Sequence, residues 1–191
     1  MKQSIEEILP IIKYRMEAIE TGRLALAYAK NWETIPSLEI YLDGKLVIEG
    51  TATAFTNNAI ETGVMHCRAL LEFLGLSGNG QTKLKEITKP RKSKDMAIED
   101  FSSLKKVTLL KAVSSYRGSH ADAEAALAYT IHLANKVMAH ITSSLQEHER
   151  GNEFLEIAFR GVPLLMINNF YDPLGISVPK YELQSRNHEI N

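Results

Sequence analysis

The feature that most constrains the fold is a helical apolar stripe. Between Ser119 and Gln146, the residues Leu127, Ile131, Ala134, Met138, Ile141 and Leu145 recur at helical spacing. That period sets them on one side of a helix, which must then be buried against other elements. A second helix is predicted from about Ala54 to Leu74. There Ala59, Ile60, Gly63, Val64, Cys67, Leu70, Leu71 and Leu74 share one wide face. A first helix reaches to about Asn31. Ser4 and Glu7 have the S-x-x-E spacing of a capping box, in which each satisfies a backbone donor of the other. Pro10 is expected in the first turn, because deeper inside a helix it costs about 3 kcal/mol. Ile12, Met16, Ile19, Leu24, Leu26 and Tyr28 form the apolar side of this helix, broken by Gly22. Shorter helical patterns run from about Ile98 to Ser114 and from about Asn152 to Asn169, the second bent or divided at Pro163.

One segment has a different period. LEIYL, Asp43-Gly44 and KLVIE put β-forming residues on both sides of a dipeptide that tolerates the positive φ angles of a type I′ turn. A lone hairpin is marginal in water, so this one must lean on the helices or pair with another chain. Residues 77–95, rich in Gly and Lys, read as a mobile surface loop. The expected fold is mainly α, a helical bundle of about five helices with one small β-hairpin near residues 38–49. Residues 1–171 form a single helical domain, and 172–191 an extended tail with Pro173, Gly175 and Pro179.

Composition limits what this body can be. With 191 residues, 45% hydrophobic and 24% charged, the chain can bury a core without help from metal or disulfide. A net charge of -1 gives no global attraction to nucleic acid or an anionic membrane. The single cysteine, Cys67, cannot form an intramolecular disulfide and lies on an apolar face, where a buried, inert thiol is expected. The opening MKQSIEEILP lacks the regions of a signal peptide, and no run approaches the length of a membrane span. A soluble cytoplasmic protein is expected.

Three groups of polar residues can carry chemistry. Glu61, His66, Arg68 and Glu72 lie on the second helix, where Arg68 can clamp a phosphate while a carboxylate holds it. The other reading is an exposed face with an i,i+4 ion pair. His66 and Arg68 are about 160° apart on a straight helix. His132, Lys136 and His140 project from one side of the fourth helix. His140 can move protons near neutral pH, and Lys136 can stabilise an anion; the other reading is a solvated face. Two His two turns apart cannot chelate one ion, so no metal is expected, and no motif calls for a cofactor. The basic stretch Lys83, Lys85, Lys89, Arg91, Lys92 and Lys94 can track a phosphate backbone or simply be solvated.

The stretches NNAIETGVMHCRALLEFLGL (Asn57 to Leu76) and ANKVMAHIT (Ala134 to Thr142), with DMAIEDF (Asp95 to Phe101) between them, together resemble a widespread group of uncharacterised bacterial helical proteins. That group is similar to the HEPN superfamily of helical bundles. Many of its members are ribonucleases of toxin–antitoxin and defence systems, marked by an Arg and a His a few residues apart, with two protomers building one cleft. His140 matches the His. Five residues earlier, where the Arg would stand, is Asn135, followed by Lys136. Asn is neutral and Lys a point charge, whereas Arg offers a planar fork to phosphate. Arg68 is the candidate guanidinium in its place. The resemblance therefore implies a homodimer and two alternatives. One is a non-catalytic interaction or structural module in which Glu61, Arg68, Asn135 and His140 form a polar network between the two main helices. The other is a metal-independent ribonuclease or nucleotide-handling protein that uses His140, Arg68 and Lys136, oriented by Asn135, Glu61 and His66, on RNA or a nucleotide.

Overall fold

In the computed structural model, which describes residues 4–89, 95–101, 104–137 and 149–184, the chain is mainly α-helical with a small antiparallel hairpin. Helix α1 spans Ile5–Ala29 and opens with the expected capping box: Glu7 N donates to Ser4 Oγ at 3.3 Å and Ser4 N to Glu7 Oε2 at 3.0 Å. Because the helix already begins at Ile5, Pro10 lies in its second turn rather than its first. The Glu6 carbonyl loses its donor there, but Glu6 and Pro10 are both exposed, so water can replace it.

Strands β1 (Ser37–Leu42) and β2 (Lys45–Thr51) form the hairpin. Asp43 and Gly44 take φ of 50° and 76°, the left-handed pair that a type I′ turn requires. Helix α2 (Ala52–Phe73) follows directly, its first N–H bonded to Pro36 O at 2.9 Å across the hairpin base. The predicted face of α2 is buried, with Cys67, Leu71 and Leu74 fully so. Helices α1 and α2 pack along their length. At Gly22 a Cβ would stand 2.9 Å from the Ala59 carbonyl and 3.2 Å from Gly63 Cα. Gly22 is thus no break in the apolar side but the point where the two backbones touch.

The stretch read as a loop is partly built. Strands β3 (Leu76–Gly78) and β4 (Leu84–Glu86) pair antiparallel. Ile87 N bonds to Gly75 O, and Val107 N to Leu74 O, each at 2.8 Å. The predicted helix from 98 to 114 is two pieces: a 3-10 turn, Ile98–Asp100, and helix α3, Leu109–Ser114. Phe101 between them packs edge-on against Phe170, which also meets Phe73. Burying Phe101, 3% exposed, is worth about 1.5–3 kcal/mol, which outweighs continuing a short helix.

Helix α4 (His120–His132) starts at its Ser119 cap, as the sequence indicates, then widens into a π-helical turn over Leu133–Val137. The stripe members Met138, Ile141 and Leu145 lie outside the described residues. Helix α5 (Gly151–Met166) is not divided at Pro163; it runs on through a π-helical turn, Ile167–Tyr171, into a short α6, Asp172–Leu174, closed by Gly175 at φ 64°. The extended tail therefore begins after Gly175, not at Asp172, and its Tyr181 packs on the core. The closest helix pairs are α1 with α2 and α4 with α5. Among the described residues α2 and α4, expected to form the main pair, pack less extensively, and the predicted helix beyond Val137 lies outside those residues. No helix among the described residues is long and apolar enough to cross a membrane.

Candidate functional site

The predicted site residues separate onto two elements. Glu61, His66, Arg68 and Glu72 are on α2. Asn135 and Lys136 are exposed on the π-helical turn that follows α4. His140 lies outside the described residues, as do Arg91, Lys92 and Lys94. Glu61 is exposed, and no hydrogen bond joins it to Arg68 or Asn135 among the described residues.

Arg15 of α1 stands beside His66. Arg15 Nη1 donates to His66 Nδ1 at 2.9 Å. A guanidinium has no acceptor, so His66 carries its proton on Nε2. Burial, and then the Arg15 charge, lower the His66 pKa, and Tyr14 meets the ring edge-on with centroids 5.2 Å apart. The same Arg15 also lines a groove of about 650 Å³ between α1, α2 and the segment after β4. Arg68 lines it from α2, Lys89 from beyond β4, and Glu72 and Asp95 complete its charged wall. Arg68 Nη2 donates to Glu72 Oε1 at 3.1 Å, while Arg68 Nε is buried without a partner. Ile8, Ile12, Leu70, Phe73 and Met96 give the groove an apolar lining. It can receive a group that is anionic at one end and apolar at the other.

Sequence reasoning missed Arg15 and Lys89 as members of this groove. The only signal available was that Arg15 interrupts an apolar helix side near Ile12 and Met16; its partner 51 positions away is fixed by the helix crossing. His132, from the same group as Lys136 and His140, accepts from the Gln81 amide at 3.4 Å. Burial first, then Lys136, lower its pKa. Lys83, from the basic stretch, is paired with Glu124 at 3.0 Å, and Glu124 also accepts from Leu84 N at 3.1 Å. These contacts make Lys83 a staple between β4 and α4 rather than part of a basic track. No group of His, Cys, Asp and Glu among the described residues could hold a metal ion.

Comparisons with protein-family models, with curated proteins and with solved structures give no match to this chain.

Proposed function

We propose that the chain is a non-catalytic, HEPN-like helical interaction module that self-associates through its hairpin. The observation that carries this reading is the exposure of the hairpin on both faces. Every residue of β2 is exposed, and Leu42 and Ile48 are 62% and 53% exposed. An isolated pair of strands with uncovered apolar faces gains most by adding strands.

The two edges differ. β2 carries Lys45 and a bulge where its register with β1 shifts past Val47, both devices that discourage edge pairing. β1 is regular and has neither. An antiparallel partner copy of β1 centred on Ile40 would set Ile40 against Ile40, Leu38 against Leu42, and Glu39 against Tyr41. Moving the centre by one residue sets Glu39 against Glu39, or Glu39 against Asp43, like charges that oppose pairing. Only the Ile40-centred register of these three avoids both.

Sedimentation equilibrium tests the proposal. The wild-type chain is expected to be a dimer. Ile40→Lys, which brings two ammonium groups together at the two-fold axis, is expected to make it monomeric with an unchanged helical circular dichroism spectrum. Lys45→Glu, on the other edge, should leave the dimer intact. A wild-type monomer at all concentrations, or a dimer indifferent to Ile40→Lys, overturns the reading.

A further inference from the structure

The groove between α1 and α2 is independent of the hairpin, and its chemistry is specific enough to name a ligand class. Three basic groups from three separate segments converge on it: Arg15, Arg68 and Lys89. Two acids, Glu72 and Asp95, accompany them, so among the described residues the basic groups of the groove outnumber the acidic ones. At about 650 Å³ the space has the size of ordinary small-molecule sites, which are apolar with a few convergent polar groups.

We infer that this groove binds a small organic acid, a single carboxylate on an apolar body. The carboxylate lies against the guanidinium groups of Arg15 and Arg68. Arg68 already gives one N–H to Glu72 and has a buried Nε without a partner. A guanidinium has five N–H donors, so Arg68, about a third exposed, keeps others to give to an incoming carboxylate. The planar forks of two arginines suit a carboxylate better than a point charge would. The apolar body lies on Ile12, Leu70 and Phe73, whose burial adds to affinity in proportion to area. Glu72 and Asp95 beside the arginines disfavour a second negative charge on the ligand.

Isothermal titration calorimetry on the full chain, with octanoate, octyl phosphate, octanol and inorganic phosphate as probes, tests this. Octanoate should bind, octanol and inorganic phosphate at least about tenfold more weakly, since hydrogen bonds to a charged group and apolar burial are each worth that factor. Arg68→Gln and Arg15→Gln should each weaken octanoate binding by about tenfold or more, with the melting transition and helical spectrum of each checked for an intact fold. Lys180→Gln, on the tail, should not change it. Octanol binding as tightly as octanoate, or octanoate binding that neither arginine variant affects, overturns the site. Octyl phosphate or inorganic phosphate binding more tightly than octanoate overturns the carboxylate assignment. The oligomeric state plays no part in these readings, so they stand or fall apart from the hairpin proposal.

Discussion

Two arginine–glutamate pairs on the first two helices have nearly the same local spacing and opposite characters. On α1, Arg23 and Glu20 form a bidentate pair, Nε to Oε2 at 2.7 Å and Nη2 to Oε1 at 2.8 Å, with side chains only 11% and 8% exposed. The hydrogen bonds it donates to Glu20 raise the Arg23 pKa in spite of its burial. Tyr181 and Glu182 of the tail lie near enough to act on the pair electrostatically. On α2, Arg68 touches Glu72 through one nitrogen, is about a third exposed, and leaves Nε unmet. The first pair is closed, with each charge answered inside the protein. The second is open on a groove. Burial with complete hydrogen bonding marks an arginine that holds structure, whereas partial exposure leaves a guanidinium with donors still facing solvent.

The largest test of this contrast is Arg23→Met. It leaves Glu20 buried and unpaired, and should cost about 3–5 kcal/mol in urea denaturation. The double variant Glu20→Leu/Arg23→Met should recover most of that loss, since an apolar pair in place of a buried ion pair is often neutral. If Arg23→Met alone is harmless, the closed pair is no more structural than the open one.

A smaller effect belongs to the groove side. The folded His66 pKa lies below the unfolded value of about 6.5. As pH falls through that value, the unfolded chain takes up a proton that the folded chain resists. Stability is therefore fully present above about pH 7 and declines as pH drops toward the folded pKa. His132 is shifted in the same direction, so both contribute to the wild-type slope. His66→Asn should flatten the dependence between pH 5 and 7, measured by thermal melting, without abolishing it.

The smallest effect is at the open pair itself. A double-mutant cycle of Arg68→Met and Glu72→Met should give a coupling of only about 0.3–0.5 kcal/mol, reduced further by salt. A coupling as large as that of the closed pair would erase the distinction.

How far these features were legible depends on whether local or distant residues decide them. The capping box, the Asp43-Gly44 turn, the start of α4 near Ser119 and the apolar face of α2 are set by residues within a few positions of each other, and all are present as read. The break at Phe101 is decided by Phe73 and Phe170 from other helices. The pairing of β3 with β4 is supported by Glu124, whose position on α4 the loop's own composition does not reveal. The π-helical turns at Leu133–Val137 and Ile167–Tyr171 widen helices whose apolar period continues across them. Arg68 was legible as a possible clamp because its charge and its Glu72 partner are local. Arg15 was not, because its place beside α2 depends on how α1 packs on that helix, with Gly22 close against Gly63.

Cys67 offers the same architecture a readout of its own. Its sulfur is fully buried between the packed helices, and burial pushes the thiol pKa well up, so the reactive thiolate is scarce as well as shielded. A small alkylating reagent must wait for the helices to part. With no second cysteine in the chain to compete, the labelling rate becomes a built-in clock for the opening of the core.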